Sequence, residues 1–260
     1  MLHVTREGAA EIWTVDRPAA ANAIDRVTVD ALAQALAGLE RALAEGGGPR
    51  GLIIASAPRA PGLRPVFLSG ADLGELETVA SPDAARAFSA HMTGILRQVE
   101  QLPILVIAAI AGDVYGGGCE LITACDLRIA ERGIQLSFRQ ARMGLSTGWG
   151  GSTRLVHLVG LGAAKRLLLT GLPCEADEAL RLGLVDELVD PGAALGRARD
   201  LVAATAQGAR GAVTRLKRGL HDAVVLERDA SYARELDRFV ESWSSDEHRA
   251  ALAARRQKKA

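Results

Sequence analysis

Two short segments contain the residues best suited to chemistry. Residues 66–73 have the sequence VFLSGADL, and residues 112–120 have the sequence GDVYGGGCE. The second segment follows an apolar run at 103–110 that predicts a buried strand, and it precedes a stretch of good helix formers. Glycines let a backbone approach a ligand closely, and the free N–H groups of a helix's first turn carry the positive end of its dipole. This pattern predicts a site for a developing negative charge.

The glycine turn has alternative interpretations. Such turns are often purely structural, so the pairing of the two segments carries the argument. Gly116 and Gly118 lack a third glycine at dinucleotide-binding spacing, and no Gly-Lys-Ser/Thr follows to make a phosphate loop. Glu120 is the candidate acid-base group, worth roughly 10²- to 10⁴-fold in rate, although a first-turn glutamate is also favoured by the helix dipole. Cys119 is predicted to be a buried structural cysteine.

The composition of the chain limits the functions that can be expected of it. The 260 residues carry 31 basic and 31 acidic side chains, and no long basic block with interleaved aromatics predicts a nucleic-acid or membrane partner. The three cysteines do not form a metal knuckle, and the chain start lacks a signal-peptide pattern, so a reducing cytoplasm is expected. The five histidines are scattered, which gives little support for a metal site or a serine-histidine triad. The apolar runs are shorter than the roughly 20 residues that cross a bilayer.

Apolar spacing and helix signals predict the elements that position these segments. Strands are predicted at 11–15, 51–56, 103–111, 127–130 and 134–138, and long helices begin at Asp25 and Ser81. Strand, strand and helix recur, which predicts an α/β fold of stacked turns around a shared core. Beyond about residue 191 the composition becomes helical. We therefore expect a core at 1–197 and a C-terminal α-helical segment at 198–260.

Further motifs extend the pattern over nearly the whole chain. They are RP at 17–18 with NAI at 22–24, TACDLR at 123–128, GWGGSTRL at 148–155, and Ala176, Ala179 and LGLV at 182–185. With the two glycine segments, this set resembles the crotonase (enoyl-CoA hydratase/isomerase) superfamily. The resemblance implies a crotonase-like spiral of β-β-α turns whose C-terminal helices complete the site and pack homotrimers, often paired into hexamers. It also implies an acyl-CoA substrate and no cofactor beyond the coenzyme A of that substrate.

The resemblance assigns roles to individual residues. The N–H groups of Ala71 and Gly117 would bind the thioester oxygen as it becomes an enolate oxyanion, each worth roughly 3–4 kcal/mol of barrier. Glu120 matches the first of two hydratase glutamates. Gln140 stands where the second is expected, and an amide can orient a water but cannot take its proton. The residues expected to contact the substrate or its CoA are Asn22, Ala23, Ser69, Asp72, Leu73, Tyr115 and Gly116.

Two features depart from the family pattern. Gly74 stands where many relatives carry a lysine that contacts the CoA phosphates, so Arg17, Arg64 or the basic residues at 255–259 are the alternative candidates. The proline-rich insertion at 57–65 is either a flap beside the CoA channel or a surface loop.

Three functions remain open at this point. The first is hydration, dehydration or a double-bond shift of an enoyl-CoA, with Glu120 as the single acid-base group. The second is decarboxylation of a malonyl-type CoA such as ethylmalonyl-CoA, which needs no second carboxylate. The stretch from Gly116 to Asp126, together with Met143-Gly144 and Trp149-Gly150-Gly151, resembles the corresponding stretches of ethylmalonyl-CoA decarboxylases. The third is a CoA-binding subunit without turnover.

Overall fold

The computed structural model describes residues 1–77 and 81–226, together with positions 246 and 250. The strands in this part of the chain are β1 (Leu2–Glu7), β2 (Ala10–Val15), β3 (Gly51–Ser56), β4 (Val66–Leu68), β5 (Leu105–Ile110), β6 (Asp113–Tyr115), β7 (Leu127–Glu131), β8 (Gln135–Ser137), β9 (Cys174–Glu175) and β10 (Glu187–Val189). The α-helices are α1 (Arg26–Ala44), α2 (Leu73–Glu77), α3 (Pro82–Gln101), α4 (Gly117–Ile122), α5 (Gly151–Thr170), α6 (Ala176–Leu182), α7 (Ala194–Ala206) and α8 (Arg210–Val225).

The strands form two sheets. The larger has the order β1-β2-β3-β5-β7-β10 and is parallel except for the β1–β2 hairpin. The smaller has the order β4-β6-β8-β9 and is parallel except for the β8–β9 pair. The pairs β3/β4, β5/β6 and β7/β8 each send one strand to each sheet before a helix follows. The predicted spiral of β-β-α turns is confirmed.

Local capping explains where the two long predicted helices begin. The carboxylate of Asp25 accepts the N–H of Thr28 at the start of α1, and the hydroxyl of Ser81 accepts the N–H of Ala84 at the start of α3. The buried side chains of α1 recur at helical spacing and face the sheets; they are Thr28, Val29, Leu32, Leu36 and Leu39. These side chains fix α1 on the core.

Helix α7 covers the second face of the larger sheet. Its side chains Ala198 and Val202 are buried against Ile53 and Ile107. A Cβ on Gly51 would lie 2.6 Å from Val202, so only glycine allows the helix this close to β3. The predicted division between residues 197 and 198 therefore falls inside a helix that belongs to the core. The division of the chain into two domains stays a prediction.

The next helix, α8, is tied to the sheet through side chains that bond backbone oxygens. The ammonium of Lys217 donates to the carbonyl of Ile104 and to Asp126, and Thr214 donates to the carbonyl of Pro103. The later C-terminal residues, including the basic 255–259, lie outside the described residues except for positions 246 and 250. Across the helices that the structure describes, none combines the length and the apolar character of a membrane span.

Candidate active site

The two glycine segments lie in direct contact. Gly70 follows β4 with φ +94°, a conformation that favours glycine, and a Cβ there would lie 2.5 Å from the backbone nitrogen of Gly117. A Cβ on Gly118 would lie 2.5 Å from the carbonyl oxygen of Leu68. Any larger residue at Gly70 or Gly118 would push the two segments apart.

This contact leaves two backbone N–H groups available. Ile24 pairs with the residues on either side of Ala71. Its N–H donates to the carbonyl oxygen of Gly70, and its carbonyl oxygen accepts the N–H of Asp72. The N–H between them, on Ala71, has no acceptor among the described residues, and neither has the first-turn N–H of Gly117. Both residues line one pocket, so both groups can donate to a ligand there.

That pocket has a volume of about 580 Å³ and gathers most of the predicted site. The predicted residues that line it are Ala23, Ser69, Ala71, Asp72, Leu73, Tyr115, Gly116, Gly117, Glu120 and Gln140. No residue of the 57–65 insertion lines it, which favours the surface-loop interpretation of that segment.

Asn22 has a different place from the one predicted. Its side chain is fully buried and does not line the pocket. The amide oxygen accepts the N–H of Arg17, and the amide nitrogen donates to the carbonyls of Ala57 and Val66. Asn22 therefore ties the segment at Arg17 to Ala57 and to the first residue of β4 instead of facing a ligand in the pocket.

Glu120 is buried and accepts four hydrogen bonds. One carboxylate oxygen receives the side-chain amide of Gln140 at 2.9 Å and the N–H of Gly148 at 3.3 Å. The other receives the N–H of Trp149 at 2.7 Å and of Gly151 at 2.9 Å, at the start of α5. An ionised carboxylate offers about four lone-pair sites. A proton from a substrate would have to displace one of these donors.

Gln140 contacts Glu120 through its side-chain amide. Its amide nitrogen must face the carboxylate, because the reversed amide would place two acceptors together. The amide oxygen is buried and has no partner among the described residues. Gln140 thus supplies Glu120 with a hydrogen-bond donor, and its place at the second acid-base position stays a prediction.

Aromatic side chains form one wall of the pocket. The ring of Trp149 lies against Gly117, where a Cβ would overlap it. Phe88 of α3 packs near this ring with centroids 6.3 Å apart and a tilt of 57°. Ala85 and Ser89 of the same helix also line the pocket. This wall is apolar beside the free N–H of Gly117.

The arginines proposed for CoA phosphates already have carboxylate partners. Arg17 pairs with Asp72 at 2.9 Å and with Asp25 at 3.2 Å. Arg64 forms a two-point ion pair with Asp113. Neither guanidinium is a free cation for a ligand.

A third arginine, which the sequence analysis did not single out, lines the pocket. The guanidinium carbon of Arg139 lies 3.9 Å from the ring centroid of Tyr115. The hydroxyl of that tyrosine donates to Asp113 at 2.6 Å. Burial raises the pKa of Asp113, but hydrogen bonds from Arg64, Tyr115 and the N–H of Gln135 outweigh it and hold the pKa below its ordinary value. Burial and the Asp113 contact raise the pKa of Tyr115, which keeps the hydroxyl protonated.

Cys119 is fully buried and its thiol lies 3.3 Å from the carbonyl oxygen of Val114. Burial raises the pKa of this thiol well above its ordinary range. The structural role predicted for Cys119 agrees with this environment. In the described part of the chain, no group of three or more histidine, cysteine, aspartate or glutamate side chains could hold a metal ion.

Comparisons with known proteins agree with this geometry. The family model described as enoyl-CoA hydratase/isomerase matches residues 5–259. A short-chain-enoyl-CoA hydratase of Clostridium acetobutylicum is 29% identical over 255 residues, 96% of this chain and 92% of that protein. An ethylmalonyl-CoA decarboxylase of Mus musculus is 30% identical over 251 residues, 95% of this chain and 75% of that protein.

Solved structures give the same result. An enoyl-CoA hydratase from Bacillus anthracis superposes with a TM-score of 0.90 at 27% identity, covering 99% of this chain and 96% of that chain. Pseudomonas aeruginosa DspI superposes with a TM-score of 0.89 at 31% identity, covering 99% of this chain and 94% of that chain.

Proposed function

The chain belongs to the enoyl-CoA hydratase/isomerase family, and on that premise we propose that it stabilises the enolate of an acyl-CoA thioester. The observation that carries this proposal is the pair of unpartnered N–H groups on Ala71 and Gly117 in one pocket. The thioester oxygen gains negative charge as the enolate forms. Hydrogen-bond donors that are already in position before the reaction therefore stabilise the transition state more than the bound substrate, by roughly 3–4 kcal/mol each.

The surroundings of these donors support the same role. The ring of Trp149 lies against Gly117 and places apolar surface next to this residue. Electrostatic contacts are stronger where water is excluded. The donors also belong to segments held by Ile24 and by the glycine contact, so they need little rearrangement when charge develops.

The contacts of Glu120 bear on how the enolate forms. Hydration needs groups that move protons between water and the substrate. Four donors surround Glu120, and Gln140 has no basic lone pair near neutral pH. These contacts favour a route to the enolate in which no side chain removes a proton from the substrate.

Decarboxylation of a malonyl-type acyl-CoA, such as ethylmalonyl-CoA, is such a route. The bond between the α-carbon and the carboxylate breaks, and its electron pair forms the enolate while carbon dioxide leaves. A proton from water then adds to the α-carbon. The pocket needs to supply only the enolate-binding N–H groups, so we propose this reaction as the best supported by the geometry.

Hydration or a double-bond shift of an enoyl-CoA is the second candidate. Glu120 lines the pocket, and its bond from the N–H of Gly148 is the longest of the four at 3.3 Å. Loss of that bond would free one lone pair for proton transfer. The likeness to the Clostridium hydratase over most of both chains supports this alternative.

Liquid chromatography coupled to mass spectrometry, which also resolves enoyl-CoA isomers of equal mass, separates the candidates when the purified protein is incubated with each substrate. We expect ethylmalonyl-CoA to lose carbon dioxide and become butyryl-CoA, while crotonyl-CoA remains unchanged. If water added to crotonyl-CoA while ethylmalonyl-CoA did not change, hydration would replace decarboxylation as the proposed reaction. If neither compound changed while both bound, the protein would be a CoA-binding subunit without turnover, and the catalytic proposal would be wrong.

A further inference from the structure

Arg139 brings an exposed cation to the pocket. Within the part of the chain that the structure describes, no carboxylate lies within ion-pair distance of its guanidinium. Arg17 and Arg64, by contrast, are each bound to aspartates. A guanidinium is charged at all physiological pH values and carries five N–H donors in one plane. Stacking on a ring occupies the face of that plane and leaves the edge free for an acceptor.

The ring beneath Arg139 is fixed in place. The Tyr115 hydroxyl donates to Asp113 at 2.6 Å and receives the side-chain amide of Gln135 at 3.2 Å. Asp113 is in turn held by Arg64 and by the N–H of Gln135. The guanidinium therefore rests on a platform that does not have to form when a ligand arrives. Such preorganisation lowers the entropic cost of binding.

We propose that Arg139, stacked on Tyr115, is an anion-binding subsite of the acyl-CoA pocket. Its ligand is an oxyanion of the substrate, either a phosphate of CoA or a carboxylate on the acyl group. The inference rests on the proposed function in taking an acyl-CoA as the ligand. It also supplies a cation to a pocket whose rim has Gly74, with no side chain, at the position where a lysine was expected.

Charge movement during decarboxylation favours the phosphate. Negative charge leaves the acyl carboxylate as carbon dioxide departs, so a cation on that carboxylate would stabilise the substrate more than the transition state. The charge of a CoA phosphate does not change in the reaction. A cation on the phosphate lowers the dissociation constant without raising the barrier of the bound substrate.

Calorimetric binding of unreactive thioethers tests the subsite without requiring turnover. S-butyl-CoA carries phosphates alone, S-carboxymethyl-pantetheine carries a carboxylate alone, S-carboxymethyl-CoA carries both, and S-butyl-pantetheine carries neither. None has the thioester carbonyl that the proposed reaction needs, so a failure of the proposed function would not affect the result. The variants are Arg139→Gln and Arg139→Lys. The matched control is Arg132→Gln, an exposed arginine that does not line the pocket.

We expect Arg139→Gln to weaken S-butyl-CoA about tenfold, as loss of one charge-assisted hydrogen bond would, and to leave S-butyl-pantetheine unchanged. Arg139→Lys should recover part of the loss, and Arg132→Gln should lose nothing. A loss confined to the carboxymethyl ligands would support the subsite with the acyl carboxylate as its anion. Equal binding of all four ligands by wild type and Arg139→Gln would overturn the proposal. An equal loss on all four would also overturn it, because the substitution would then have disturbed the pocket as a whole.

Discussion

At Glu120 a single carboxylate receives three backbone N–H groups from residues 148–151 and one side-chain amide. These bonds join α4 to the segment that places Trp149 over Gly117. The glutamate thus connects the enolate-binding turn to the apolar wall. Its structural contribution can be separated from any role in proton transfer.

Glu120→Gln replaces one acceptor oxygen by an amide that itself donates. Two of the four groups that donate to Glu120 would then face the amide NH₂ of the new side chain. A buried donor without an acceptor costs about 1–3 kcal/mol. We expect the free energy of unfolding to fall by about 2 kcal/mol, measured by urea denaturation. Glu40→Gln, on the exposed side of α1, is the control and should change little. An unchanged stability in Glu120→Gln would show that these contacts contribute nothing.

Gln140→Glu would place a second carboxylate against Glu120, because the present contact is 2.9 Å. Two carboxylates this close share one proton, since both cannot remain ionised at low cost. The pair could then supply an acid and a base, and we expect hydration of crotonyl-CoA to rise at least about tenfold, followed by mass spectrometry. Gln140→Leu, which brings neither acid nor base, is the control. No gain in hydration with Gln140→Glu would mean that Gln140 does not occupy the second acid-base position.

Sequence reasoning identified these residues unevenly. The family resemblance assigned Glu120 and Gln140 to the two acid-base positions, and the structure brings their side chains into contact. The four hydrogen bonds that Glu120 accepts were not predictable, because three of the donors are backbone groups and every residue type except proline supplies an N–H. Arg139 gave no signal at all, since an arginine after a short strand has the pattern of a surface residue. Asn22 was expected to contact the substrate, but its side chain lies buried outside the pocket lining, because a motif position does not reveal which way a side chain points.

At the level of the elements, β6 carries a buried charge next to the site. Asp113, at its first residue, binds Arg64 from the insertion and the N–H of Gln135 on the neighbouring β8. These bonds hold its pKa below the ordinary value of about 3.8 despite burial. A carboxylate with a lowered pKa stabilises the folded state above its ordinary pKa, and this stabilisation is lost as the pH falls through the lowered value.

Asp113→Asn should therefore be less stable than wild type at neutral pH, with a difference that shrinks as the pH falls below about 3.8. Urea unfolding at a series of pH values measures this. Asp30→Asn, on the exposed side of α1, is the control for general charge effects. A stability difference that does not change with pH would contradict the assigned role of Asp113.

The elements were predictable where the cause is local. Asp25 and Ser81 cap helices that begin where their sequences indicate, because capping depends on neighbouring residues alone. The order of strands in the two sheets was not predictable, since pairing joins residues far apart in the chain. Helix α5 was missed as a continuous element, and Gly160 inside it has φ +75°, which breaks the regular helical pattern.

At the scale of the whole molecule, α8 presents an apolar stripe to solvent. Leu216, Leu220 and Val224 are 69%, 73% and 58% exposed and recur every four residues on one side of the helix. The homotrimer and the dimer of trimers implied by the family resemblance stay predictions. This stripe is a candidate contact between subunits, because burying three such side chains would favour association.

Leu220→Glu should shift the protein from trimer towards monomer, because a charge in a subunit contact loses its hydration without gaining a partner. Light scattering coupled to gel filtration gives the mass of each species. Val27→Glu is the control, since Val27 is 68% exposed on α1. A wild-type monomer, or a Leu220→Glu variant with the wild-type mass, would contradict this use of α8.

Binding of acetoacetyl-CoA reports whether the N–H groups of Ala71 and Gly117 stabilise a thioester enolate. Its enolate absorbs in the near ultraviolet where its keto form does not, and calorimetry reports binding independently. The variant is Gly70→Ala, whose Cβ would lie 2.5 Å from the nitrogen of Gly117. The control is Gly62→Ala, which has a similar φ of +83° but no neighbouring atom within 4 Å.

We predict that wild type and Gly62→Ala bind acetoacetyl-CoA at neutral pH with growth of the enolate band. Gly70→Ala should lose most of that band for the same amount of bound ligand. Acetoacetyl-CoA that binds wild type and remains in the keto form would show that the two N–H groups do not stabilise the enolate.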